Sequence, residues 1–83
     1  MSSEIPIQVH HGSHSIAVVA RLPGVRLDDV RIGLTRDMLS IDAEDAQGMR
    51  HCSLALAFPV DDRRATIRYR DGVLCVHLPK LRD

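Results

Sequence analysis

Apolar and polar positions alternate in short runs along most of this chain. Ile5, Ile7 and Val9 alternate with Pro6 and Gln8, and Ile16, Val18, Ala20 and Leu22 share one side of the next run. Val30, Ile32 and Leu34 alternate with Arg31 and Gly33, and Leu39, Ile41 and Ala43 carry the same pattern after Thr35-Arg36-Asp37. Over residues 51 to 58, Cys52, Leu54, Leu56 and Phe58 face one way, and His51, Ser53, Ala55 and Ala57 the other. Ala65, Ile67 and Tyr69 precede a last run with Leu74, Val76 and Leu78 on one face. A period of two residues is the mark of a strand with one buried side. Ala17 and Val19 are also apolar, so the second run reads as a central strand covered on both sides.

The punctuation between the runs supports strands. Pro23-Gly24 closes the second run, since Pro supplies no ladder donor and Gly accepts a positive φ. Asp71-Gly72 between two alternating runs is a strong hairpin signal. Leu27-Asp28-Asp29 is a short polar connection, Glu44 to Gly48 a turn, and Val60-Asp61-Asp62-Arg63-Arg64 a connection able to hold one helical turn. No stretch carries a sustained helical period. Short strands with one apolar face each bury that face by stacking as two sheets. The predicted fold is all-β: an antiparallel, immunoglobulin-like β-sandwich of about seven strands, one domain over residues 1–83 with its core at about 5–80.

Composition narrows the chemistry. One Phe, one Tyr and no Trp in 83 residues mean a core of Val, Ile, Leu and Ala. Eleven basic and eleven acidic residues cancel, and neither sign forms a block along the sequence, so nothing implies capture of nucleic acid or of an anionic membrane. Cys52 and Cys75 form neither a disulfide framework nor a zinc spacing, which points to a reducing compartment. Cys52 reads as a buried thiol beside Leu54 and Leu56, whereas Cys75 faces outward and is the better candidate for modification. No apolar run is long enough to span a membrane, and Met1-Ser2-Ser3-Glu4-Ile5-Pro6 lacks the features of a signal peptide, so the cytoplasm is the expected location.

Several motifs taken in order resemble the α-crystallin domain of the small heat-shock protein family. Leu22-Pro23-Gly24-Val25 followed by Asp28-Asp29-Val30 resembles that family's strand-ending turn, Met38-Leu39-Ser40-Ile41 its next strand, and Phe58-Pro59-Val60-Asp61 its bend. Gly72-Val73-Leu74 with Val76, Leu78, Pro79 and Lys80 is similar to its most specific motif. The resemblance runs from Ile7 to Lys80. The chain departs from the pattern in four places. Glu44 to Gly48 stands where bacterial and plant members carry a long swapping loop. Leu54 and Ala57 occupy positions where the family often has basic residues. Ile67 replaces the alanine, and Asp71 the asparagine, of the last motif. The family's N-terminal arm and C-terminal anchor are not at their usual places, while Ile5-Pro6-Ile7 reads as the first strand or as a segment docking on a neighbour by strand addition.

No nucleophile, base and orienting group fall into a constellation, and no glycine loop for phosphates is present, so the chain reads as a non-enzyme without cofactor. His10, His11 and His14 share a glycine-containing loop but lack a carboxylate or thiolate at ligand spacing, so no metal is expected. Apolar surface remains. Ala17, Val19, Ala55 and Val73 are candidates for apolar surface that such a small sandwich leaves uncovered. The resemblance implies a groove for client or peptide near Val30, Ile32, Leu34, Ile67 and Tyr69. It implies an ATP-independent chaperone domain that binds partly unfolded proteins through apolar β surface. The alternative is a protein-interaction module, co-chaperone-like or accessory to an ATPase, that recruits a specific folded partner. A homodimer or small oligomer is expected in place of a large shell.

Overall fold

The register between strands follows from the alternation. In the computed structural model, which describes residues 5–81, the strands are β1 (Ile7–His11), β2 (Ser15–Arg21), β3 (Val30–Leu34), β4 (Met38–Asp45), β5 (Gly48–Ala55), β6 (Thr66–Arg70) and β7 (Val73–Pro79). Ile16, Val18 and Ala20 on β2 stand opposite Leu78, Val76 and Leu74 on β7, so one apolar row continues across both strands. Leu39 and Ile41 on β4 do the same between Leu34 and Ile32 on β3 and Leu54 and Cys52 on β5, while Ala43 stands between Val30 and Arg50. A four-stranded sheet of order β1-β2-β7-β6 faces a three-stranded sheet of order β3-β4-β5, and all pairings are antiparallel. Short 3-10 turns at Leu27–Asp29 and Asp62–Arg64 fill the two polar connections.

The core lies between the sheets. Ile16, Val18, Ala20, Leu22, Leu74, Val76 and Leu78 from the larger sheet and its end meet Leu39, Ile41 and Ala43, with Ile5, Val25 and Val60 also buried. Among the described residues no polar or charged residue is buried, so the core rests on aliphatic packing without internal polar pairs.

Two crossings hold the sheets together, and hydrogen bonds pin each. Where the chain leaves β2 for β3, Leu22 N–H donates to the Gly72 carbonyl at 2.7 Å. The Tyr69 hydroxyl sits between the carbonyls of Leu22, at 2.9 Å, and Val25, donating its proton to that pair. Where the chain returns from β5 to β6, Leu56 N–H donates to Asp37, Val60 N–H to Arg36 and Asp61 N–H to Pro79. The second crossing is therefore tied to the β3–β4 turn and to the end of β7.

The turns use the expected chemistry. Asp71 (φ 53°) and Gly72 (φ 77°) are both left-handed, as a two-residue hairpin of the right twist requires. The β4–β5 turn is tighter than the sequence suggests: Asp45 pairs with Gly48, leaving only Ala46 and Gln47 as loop, and the Asp45 carboxylate accepts from Gln47 N–H at 2.8 Å.

Three details differ from the sequence reading. The fifth strand spans Gly48–Ala55 instead of residues 51 to 58, because Leu56 already bonds to the Asp37 turn. Phe58 therefore does not join Cys52 and Leu54 inside; it is 50% exposed, with Lys80 Nζ 4.3 Å from its ring centroid. The outer side of β2 is not covered either, since Ala17 and Val19 line an open depression with Cys75 and His77.

Burial raises the Tyr69 phenol above its ordinary 10.0. The folded chain then holds this proton more tightly than the unfolded one, so the stabilisation is complete below pH about 10 and declines as pH rises past it. Tyr69→Phe should cost about 1–1.5 kcal/mol at neutral pH in urea unfolding, and the gap to the parent should narrow above pH about 10. This is the only tyrosine, so phenolate absorbance in native and denatured protein should show the upward shift directly. A second pair of substitutions separates backbone strain from contact. Gly24 and Gly72 both have φ 77°, but a Cβ on Gly24 meets nothing within 4 Å while one on Gly72 would lie 3.3 Å from Pro23 Cα. Gly24→Ala should cost about 1 kcal/mol by strain alone, and Gly72→Ala measurably more in the same urea titration.

Candidate functional site

A four-stranded sheet laid on a three-stranded one cannot have every inner side chain covered. The residues implied as a groove lie on the inner sides of two edge strands, β3 and β6, each with one unpaired backbone edge. On β3, Val30, Ile32 and Leu34 are half-buried and pack against the core, while Arg31 and Gly33 point outward. On β6, Ile67 stands opposite buried Val76 and Tyr69 opposite buried Leu74, which puts both on the inner side. Tyr69 is half-buried and clamped to the β2–β3 crossing through its hydroxyl. Ile67 differs: it is 47% exposed despite facing inward.

Ile67 is thus a large apolar side chain left partly uncovered on an edge strand. Its outward neighbours Thr66, Arg68 and Arg70 are polar and exposed, so an apolar inner row borders a charged outer row. An extended peptide entering here meets free backbone donors and acceptors along the edge and apolar side chains on one side.

Ile5, Pro6 and Ile7 are committed to the chain's own fold. Ile5 is only 5% exposed, the Pro6 carbonyl accepts from Arg21 N–H at 3.1 Å, and Ile7 pairs with Ala20 in β1. His10 and His11 end β1, and His14 lies in the following loop. Among the described residues no group of three His, Cys, Asp or Glu side chains is placed to hold a metal ion. Cys52 is half-buried on the inner side of β5, and Cys75 is exposed on the outer side of β7. No helix among the described residues is long and apolar enough to cross a membrane.

One polar pair escaped the sequence reading. His51 Nδ1 lies 2.5 Å from Asp42 Oδ1 on the outer side of the smaller sheet, and Arg31 stands on the other flank of Asp42. Counting back from a two-residue turn at Ala46-Gln47 would have aligned them, but a turn read as Glu44 to Gly48 leaves that register open.

No protein-family model matches the chain, and no curated protein matches it significantly. Solved structures do. Heat shock protein 16.0 from Schizosaccharomyces pombe superposes with a TM-score of 0.91 at 23% identity, over 99% of this chain and 70% of that one. The A102D mutant of hsp14.1 from Sulfolobus solfataricus P2 gives 0.84 at 25% identity, over 99% and 76%. A small heat-shock protein from Xylella fastidiosa gives 0.82 at 21% identity, over 95% and 87%. With Leu22-Pro23-Gly24 at the first crossing and Gly72-Val73-Leu74 opening the last strand, the chain carries the α-crystallin-type β-sandwich of the small heat-shock proteins.

Proposed function

We propose that this chain is an ATP-independent chaperone domain that holds partly unfolded proteins along the edges of β3 and β6, with Val30, Ile32, Leu34, Ile67 and Tyr69 forming the apolar surface. The exposure of Ile67 on the inner side of an edge strand carries this reading. A client segment adds to the strand edge through backbone hydrogen bonds and places alternate apolar side chains inward. Backbone pairing is indifferent to sequence, and one or two small apolar contacts add little selectivity, so many clients bind weakly. No step in this action needs a cofactor or a bond-breaking residue.

Self-association of the folded chain has a separate edge available. The two-residue turn after β4 leaves Gly48–Ala55 as an eight-residue strand at the edge of its sheet, with no strand beyond it among the described residues. Pairing of this edge with a second copy gives a dimer without the long swapping loop. Docking of Ile5, Pro6 and Ile7 on a neighbour would proceed by strand exchange, since these residues already occupy their own sandwich. The alternative reading, recruitment of one folded partner, uses the same edges with higher selectivity.

Purified chain should slow the heat-induced aggregation of several unrelated proteins without ATP, and the protection should fade on cooling as apolar association weakens. Ile67→Asp should reduce that protection several-fold, measured where the variant is still folded, while costing about 1–2 kcal/mol in urea unfolding because the side chain is half covered on the inner side of its strand. Full protection by Ile67→Asp would remove the β3–β6 assignment. Failure of the parent chain on every client, with tight binding to a single folded protein, would replace the chaperone reading with partner recruitment.

A further inference from the structure

The charges that cancel along the sequence are sorted by face in the fold. The strands of the four-stranded sheet contain Arg21, Arg68 and Arg70 and not one Asp or Glu. By register all three arginines point to the outer side: Arg21 and Arg70 flank Val73, and Arg68 flanks Cys75. Inside this rim lies a depression floored by Ala17, Val19 and Cys75. The outer side of the three-stranded sheet has the opposite character. Asp42 and Glu44 from β4 join Asp28 and Asp29 from the 3-10 turn around one depression, with Arg31 the one cation among the described residues lining it and His51 bonded to Asp42 on the same outer side. Arg50 does not offset them, because it pairs with Asp45 at 3.0 Å and both side chains are largely shielded. Arg26 lies 4.0 Å from Asp28 in a pair so exposed that water screens it.

We infer that the arginine-rimmed outer face of the β1-β2-β7-β6 sheet docks on the acidic outer face of the β3-β4-β5 sheet in a second copy of this chain. Both halves of the interface are present in one molecule, and this identifies the occupant. A basic face repels its own twin, so the contact is head-to-tail and the pair keeps one free face of each kind. Small side chains suit such stacking: Gly33, Ser40 and Ser53 form one row across the acidic sheet, which lets another sheet approach to about 10 Å. Met49, 60% exposed at the rim of the acidic depression, supplies apolar area toward the Ala17, Val19 and Cys75 floor.

Size sets the strength. Four strands about 4.8 Å apart and about six residues long offer roughly 400 Å2 per copy, so the pair buries about 800 Å2, below the roughly 1,200 Å2 of a stable complex. The association is therefore weak, salt-dependent and open-ended, and it does not depend on client binding or on the Gly48–Ala55 edge.

Sedimentation velocity of the full chain tests this. At about 20 mM salt the mean mass should rise steadily with concentration above about 0.1 mM chain without stopping at a dimer, and about 0.5 M salt should abolish the growth beyond the dimer that the Gly48–Ala55 edge allows. Arg68→Glu with Arg70→Glu in one variant, and Asp29→Lys with Glu44→Lys in another, should each weaken self-association about tenfold or more, the loss of two or more screened charge pairs. An equimolar mixture of the two variants should recover association within about threefold of the parent, because each offers the face the other has lost. Misfolded variants could not rescue each other. A parent that does not grow beyond a dimer at low salt, growth beyond the dimer that persists at high salt, or a mixture no better than its components would each overturn the inference.

Discussion

The junction where the chain first leaves one sheet for the other is the constraint on which this structure depends. Leu22 ends β2, buries its side chain in the core, and exposes a backbone that must pair as it turns away. Gly72 and Tyr69 meet that need from the far end of the chain: Gly72 accepts from Leu22 N–H, and Tyr69 donates to the Leu22 and Val25 carbonyls. Residues separated by 47 positions are thereby joined at one point. Gly72 also has to be glycine there for two reasons, its positive φ and the nearness of Pro23.

That clasp matters more because the core is entirely aliphatic. With no fully buried aromatic or polar residue among the described residues, the sheets are held mainly by Val, Ile, Leu and Ala contacts, which are favourable but weakly directional. Direction comes from the two crossings, the first tied to the larger sheet through Gly72 and Tyr69, the second to both sheets through Arg36, Asp37 and Pro79. With the sheets aligned in this way, four strands overhang three, and the overhang is where Ile67 becomes available. The apolar surface proposed for clients is thus a geometric consequence of unequal sheets and not a feature added to them.

The arrangement also keeps the surfaces proposed for clients and for self-association apart. Apolar surface at the β3 and β6 edges lies on the inner side of the strands, whereas the charged surfaces lie on the outer sides of both sheets. An arginine pair on β6 borders the edge, discouraging like edges from pairing and leaving it open to extended peptide. Strand alternation is what permits this: adjacent residues such as Ile67 and Arg68 serve opposite sides of the same sheet.

By itself the sequence determined the strands, their buried faces and the principal turns. Alternation placed Ile16, Val18, Leu74 and Val76 in the core, and Pro23-Gly24 and Asp71-Gly72 located turns whose φ values only such residues accept easily. The ordered motifs led to the α-crystallin-type sandwich, which the solved structures share. These features are local, since period and turn chemistry act between near neighbours. Tertiary structure decided the rest. The end of β5 and the outward turn of Phe58 depend on Asp37 and Lys80, which no local pattern connects. Tyr69 reads as one more alternating apolar residue until Leu22 and Val25 arrive beside its hydroxyl. The partition of a neutral chain into a basic and an acidic face depends on which strands share a sheet, and pairing between strands distant in sequence decides that.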